Sequence, residues 1–530
     1  MRRLLLGLAL AYPCAAGGLE LKDGWYHLDG HRFLVNAIGY ETGARPGEAP
    51  YEARGRDLEQ VRRDLAVIKA AGFNGIRTWS QMSEAELKVV QASGLKLVYG
   101  IWLKPDEDFA DPAVVARDLE LIRATLAYTR NYDCVITYLI MNEPMPEHIR
   151  KVGAKATRDL WTRAVGLIHE LHPGIPVTIS GNSAITEWVD MALFDVRGRN
   201  AYDYKDSANY THGFAEAQRM LSGTDGKPAL LTEFGRSVSR KGEGLYGGNT
   251  LRQQADAMTQ YYRDFLDAGG TGLCPFYYAD GWWKAGNPAV HDDEAEEWFG
   301  FLGFASLKDT TGHPRPAWHA LAQYNQALVA SPKNHAFYRN RVPLEAHCQP
   351  GVRRLRVVFR DRVLLEAVPD ARGLATGELD FPGEGLTDRE LVVEALDAAG
   401  CVVKWETFVV LTGKDPIEWP RLELTAGAAG LEGEAAVPVT FRLGATGPFK
   451  VDGDLRYAFS AHKGWEPAET RTRRILPGTP VDDAFRPFAG CPVLAVYGGV
   501  DLRFGKFVKT VTARRFLYPG TWADPLRVRE

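Results

Sequence analysis

Cys134-Val135-Ile136-Thr137-Tyr138-Leu139-Ile140-Met141-Asn142-Glu143-Pro144 is the stretch that decides the fold. From Cys134 to Met141 it is apolar or β-branched, apart from one tyrosine hydroxyl. A run so short and so apolar reads as a strand covered on both faces, as in a parallel sheet. It stops in Asn-Glu-Pro. Pro144 lacks an N–H and ends the ladder, and it biases Glu143 toward an extended backbone. An amide and a carboxyl are thereby set at the carboxyl end of a buried strand, the end where α/β barrels gather their reactive side chains.

Outward from that strand, helical and strand patterns alternate. Strands are expected over 32–39, 73–79, 94–103, 176–181, 196–202, 229–235 and 272–278. A hairpin turning at Asp29-Gly30 precedes them. Asp57 opens a helix with Leu58, Val61, Leu65 and Ile68 on one face. Asp111-Pro112 is an N-cap followed by a proline in the first turn. Further helices are expected over 83–93, 151–172, 188–194, 214–221, 251–268 and 318–329. Eight such units fit a (β/α)8 TIM barrel, assigned to residues 17–333. The helical period then disappears. Two all-β, sandwich-like domains are expected over 334–414 and 415–530, joined at Gly413-Lys414-Asp415-Pro416.

The 530 residues carry 63 Lys and Arg against 67 Asp and Glu, so no basic field argues for nucleic acid or an anionic membrane. Aromatics reach 11%, with 13 Trp, which suits both packing and flat sugar platforms. Met1-Arg2-Arg3, the apolar run to Tyr12 and Pro13-Cys14-Ala15-Ala16 read as a signal peptide over residues 1–16, hence export. No later segment has the length and apolarity to cross a bilayer. Cys134, Cys274, Cys348, Cys401 and Cys491 are too widely spaced for a zinc site. Cys134 and Cys274 read as buried thiols, and a Cys348–Cys401 bridge is left open.

Pro228-Ala229-Leu230-Leu231-Thr232-Glu233-Phe234-Gly235 repeats the logic of the first stretch, three strands later. Two carboxyls facing one another across a barrel mouth are the equipment for breaking a glycosidic bond. One holds a proton for the leaving oxygen, and the other is ionised to attack the anomeric carbon. Their repulsion and unequal surroundings separate their pKa values.

With these motifs in the order of strands four and seven, the chain resembles the retaining glycoside hydrolases of clan A. It is most similar to the barrel domain of glycoside hydrolase family 2. Phe73-Asn74-Gly75-Ile76-Arg77-Thr78-Trp79, Asn200-Ala201-Tyr202 and Gly281-Trp282-Trp283-Lys284 join the match. Family 5 and the 1,3-β-glucanosyltransferases share its outline. The resemblance implies Glu143 as acid/base and Glu233 as nucleophile. It also implies Arg77 and Tyr202 as supports of Glu233. Asn142 is suited to the sugar 2-hydroxyl, and Trp79, Trp102, Tyr278 and Trp283 are candidate platforms. The chemistry needs no metal and no cofactor, and the partner is a carbohydrate. The same residues serve a transglycosylase, and a non-catalytic glycan-binding barrel is the rival outside enzymology. His291-Asp292-Asp293 reads as a solvated loop rather than a cation site, from which His291 is within reach of the cleft.

Overall fold

The computed structural model describes residues 18–50, 57–144, 146–181, 191–202, 226–243, 246–383, 385–427, 435–461, 469–488 and 494–517. The expected signal segment with Cys14, the helix expected over 214–221 and Cys491 lie outside the described residues. The helix expected over 188–194 is described only from residue 191, where a single 3-10 turn, Met191–Leu193, stands.

Eight parallel strands form the barrel. They are β1 (Val35–Gly39), β2 (Gly75–Arg77), β3 (Lys96–Gly100), β4 (Val135–Asn142), β5 (Val177–Ser180), β6 (Arg197–Asn200), β7 (Ala229–Phe234) and β8 (Gly272–Pro275). Hydrogen bonds run in order from β5 back to β1 and on through β8 and β7 to β6. A parallel bridge between Gly181 and Arg199 joins β5 to β6 and closes the ring. All residues of β1, β2, β5, β7 and β8 are buried, as befits parallel strands covered on both faces.

The N-terminal hairpin, Trp25–Leu28 with His31–Phe33, turns through Asp29 and Gly30, both at positive φ. Tyr26 from this hairpin is fully buried, and its hydroxyl meets Thr137 Oγ1 at 2.8 Å, plugging the lower end of the barrel. Around the ring pack α1 (Leu58–Ala70), α2 (Glu84–Ser93), α3 (Pro112–Thr129), α4 (Ala154–Leu171), α5 (Leu251–Asp267) and α6 (Pro316–Tyr324). Asp57 caps α1 through its side chain, and Ser83 and Thr250 form capping boxes on α2 and α5.

The last helix is shorter than expected. It ends at Tyr324, and Ala327–Ser331 is a strand paired antiparallel with Arg341–Cys348. That pair belongs to a sandwich of a three-stranded and a five-stranded sheet, filled by Val342, Leu344, Leu355, Leu391 and Phe408. A second sandwich, of three and four strands, is filled by Phe441, Tyr457, Val496 and Leu502. Cys348 is a buried free thiol and Cys401 an exposed one, so these two are not bridged. Cys134 and Cys274 are buried free thiols. Among the described residues no helix is long and apolar enough to cross a membrane.

Candidate active site

The carboxyl ends of the strands converge on a cleft of about 580 Å³. At the end of β2, Arg77 is completely buried. Its NH1 lies 3.0 Å from Oε1 of Glu233, and its NH2 donates to Oδ1 of Asn142 at 2.8 Å and to Ser180 Oγ at 3.2 Å. Trp79 Nε1 donates to Oε1 of Glu233 at 2.6 Å, and the Tyr202 hydroxyl donates to Oε2 at 3.4 Å. Donors therefore reach both oxygens of Glu233, which suits a carboxylate, since that form only accepts.

Glu143 stands in a different setting. It is half-buried, and its Oε1 accepts from Asn200 Nδ2 at 2.8 Å. Burial first, and then the charge of Glu233, push its carboxyl up to about 8, partly offset by the Asn200 hydrogen bond. One acid is thus suited to hold a proton while its neighbour is matched by donors. Both also sit beside irregularities in their ladders. The β4–β5 register shifts between Leu139 and Asn142, and β7 shifts beyond Leu231 against both of its neighbours. Such shifts re-aim the side chains that follow them.

Glu143 departs from the extended backbone expected before a proline: its φ is +48°. A non-glycine residue in that region costs on the order of 1–3 kcal/mol. Its N–H donates to the Ser180 carbonyl at 2.9 Å, a tertiary contact that overrides the local preference. The pre-proline bias is steric and local, whereas this bond ties β4 to its neighbour.

Asn142, Trp79, Trp102, Tyr202 and Trp283 line the cleft with the two glutamates, while Arg77 makes its contacts as a wholly buried support. Oδ1 of Asn142 accepts from Arg77 and, at 3.3 Å, from Asn200, so the amide nitrogen is the group's remaining donor. Trp102 is 37% exposed and offers a face at the rim.

Tyr278 is not in the cleft. Strand β8 ends at Pro275, earlier than expected, and the peptide between Phe276 and Tyr277 is cis. Tyr277 lines the cleft, whereas Tyr278 packs in the outer core against Tyr40 and Trp318 and donates to Asp64 at 3.1 Å. His291 does not line the cleft either. It is sandwiched between Trp282 and Trp298 at 4.8 and 3.8 Å, and burial followed by the charge of Arg315 lowers its pKa to about 4. Asp293 accepts from Ser239 Oγ and the Arg240 N–H, and no group of three metal-ligating side chains occurs among the described residues.

The cleft also holds residues that the sequence reading passed over. Glu41, just beyond β1, accepts from the Trp79 N–H at 3.2 Å and from Ser80 Oγ at 3.4 Å. Lys284 lies 3.3 Å from Glu296 Oε2 and 4.5 Å from the centroid of the Phe276 ring. Tyr246 packs 6.0 Å from Tyr202. Glu41 carries the same signal as Glu143 and Glu233, a carboxyl following an apolar strand. The others come from loops, where no period marks them.

The chain matches no protein-family model and no curated protein. Solved structures do resemble it. One is an FMN-binding β-glucuronidase from Facaelibacterium prausnitzii L2-6, at TM-score 0.48 and 13% identity, over 75% of this chain and 59% of that one. The β-glucuronidase of Parabacteroides merdae with glycerol in its active site gives 0.45 and 13%, over 94% and 64%. The β-glucuronidase of Bifidobacterium dentium complexed with coumarin-3-O-glucuronide gives 0.46 and 20%, over 58% and 48%. The chain spans less than two thirds of the length of each of these proteins. Similarity of this degree carries nothing about substrate.

Proposed function

We propose that the chain is a retaining β-glycoside hydrolase working by double displacement on a β-linked glycan or oligosaccharide. The observation that carries this reading is the contrast between two strand-end acids in one cleft. Burial and its neighbour's charge push Glu143 toward its protonated form, while Glu233 is met by Arg77, Trp79 and Tyr202.

In the first step Glu233 attacks the anomeric carbon as the bond to the leaving oxygen breaks, and Glu143 gives that oxygen its proton. Glu143, now a carboxylate, takes a proton from water as the water attacks the glycosyl-enzyme and frees Glu233. The amide nitrogen of Asn142 is available to the 2-hydroxyl, a contact that strengthens in the transition state. Aromatic faces at Trp79, Trp102 and Trp283 suit the apolar faces of sugar rings.

The test is a screen of nitrophenyl β-glycosides, then trapping with the 2-deoxy-2-fluoro glycosyl fluoride of the sugar it selects. Mass spectrometry should find the label on Glu233, and Glu233→Gln should abolish turnover. Turnover in that variant close to the wild-type rate would rule the mechanism out.

A further inference from the structure

We propose that Asn200 is a positioning residue that decides which oxygen of Glu143 carries the transferable proton, and that Thr232 holds Asn200 in that attitude. The proposal rests on the reading of Glu143 as the proton donor.

The argument starts from a side chain that can only donate. Arg77 has no acceptor, so the Asn142 atom that it meets at 2.8 Å is the amide oxygen. The Asn200 atom 3.3 Å from that oxygen must then be a donor, which fixes the Asn200 amide with its nitrogen on this side. The same nitrogen lies 2.8 Å from Oε1 of Glu143. Oε1 is therefore an acceptor, and the proton of the acid belongs on Oε2. On the far side of the amide, Thr232 Oγ1 donates to Oδ1 of Asn200 at 2.7 Å. Thr232 and Asn200 are both fully buried.

Turning the Asn200 amide over would bring its oxygen against two acceptors, Oδ1 of Asn142 and Oε1 of Glu143. Only a proton moved onto Oε1 could relieve the second contact, and that proton would be bonded to Asn200 rather than to the substrate. The observed attitude avoids this. In the transfer the Oε2–H bond breaks, an O–H bond forms on the leaving alcohol, and the electrons of the glycosidic C–O bond pass to that oxygen. Asn200 neither gives nor takes a proton. Thr232 directly precedes Glu233, so one strand carries the nucleophile and also braces the residue that orients the acid.

Positioning of the acid matters only where the leaving group needs a proton. The experiment compares phenyl and 2,4-dinitrophenyl glycosides of the sugar found in the screen, using the full chain. Asn200→Ala should lower kcat/KM for the phenyl glycoside by about 10- to 100-fold, and far less for the dinitrophenyl glycoside. Its alkaline pH limb should move upward, because a hydrogen bond that favours the charged form of Glu143 is gone. Thr232→Val should show a weaker version of both effects, and Thr232→Ser, which keeps the hydroxyl, should behave as the wild type. Equal losses on both leaving groups, or Thr232→Val and Thr232→Ser behaving alike, would overturn the proposal. Glu143→Ala is the control. A steep leaving-group dependence there, with none in Asn200→Ala, sinks only the positioning role. Its absence in Glu143→Ala sinks the acid assignment and the proposal together.

Discussion

The guanidinium carbon of Arg77 lies 3.6 Å from the centroid of the Trp79 ring, and both side chains reach the same oxygen of Glu233. The stack and the ion pair depend on the flat, forked shape of arginine. NH1 faces Glu233 while NH2 serves Asn142 and Ser180. Lysine keeps the charge but not the fork, nor the flat face that lies over indole. Arg77→Lys should lower kcat by about 100- to 1,000-fold, the range for losing one aimed donor in a reaction centre. Steady-state kinetics check this. A loss confined to KM would mean that Arg77 supports binding and not the nucleophile.

The raised pKa of Glu143 makes a prediction that runs in the same direction for rate and for stability. The acid form is needed to protonate a leaving group, so kcat/KM for a phenyl glycoside should fall as pH rises through about 8. Stability runs on proton binding. The carboxyl's ordinary value is 4.5 and its folded value about 8, so between them the folded state binds more protons than the unfolded one, and stability declines as pH rises. Glu143→Gln removes that decline. Its melting temperature should match the wild type near pH 4 and exceed it increasingly toward pH 8. Scanning calorimetry across this range is the check, and a constant difference at every pH would contradict the raised value.

The barrel was legible because buried parallel strands are apolar without alternation, and Glu143 and Glu233 were legible because each interrupts such a run. What stayed hidden was tertiary. The φ of Glu143 depends on its bond to the Ser180 carbonyl, a partner on another strand. The apolar tail Ala327–Ser331 continues the helical pattern of α6 in sequence, yet it pairs with Arg341–Cys348. Nothing local distinguishes the two outcomes for so short a run. Lys284 and Tyr246 reach the cleft from connections between elements and Glu296 from the 3-10 turn Ala295–Glu297, so only the closed structure brings them together.

Tyr278 and Trp283, both candidate platforms from sequence, should part company under mutation. Trp283 lines the cleft, so Trp283→Ala should raise KM for an oligosaccharide more than it lowers kcat. Tyr278 donates to buried Asp64, beside Arg45 and Tyr40. Tyr278→Phe should leave KM unchanged and cost about 1–3 kcal/mol of stability, because it withdraws a partner from a buried carboxylate. Urea denaturation and kinetics on the same preparations distinguish these outcomes. A KM effect in Tyr278→Phe would return that residue to the cleft.

The barrel meets the first sandwich through buried charges, and their removal should be felt as stability. Arg263 on α5 pairs with Asp267 at 2.7 Å and lies 3.8 Å from Glu406, which belongs to the sandwich strand Val402–Thr412. Lys404 pairs with Glu406 at 3.0 Å, and the Tyr324 hydroxyl donates to it as well. Burial raises the pKa of Glu406, but Lys404 and Arg263 outweigh burial and leave it lowered. Its contribution is therefore present above the ordinary carboxyl value and is lost as pH falls through the folded one. Glu406→Ala leaves the buried Lys404 without its anion, while Arg263 keeps Asp267, and should cost about 3–5 kcal/mol in urea unfolding near neutral pH. Replacing Lys404 and Glu406 together with Met and Leu should cost much less, since no charge is then stranded. If the double variant is as unstable as Glu406→Ala, packing rather than charge pairing is what Glu406 supplies at this joint.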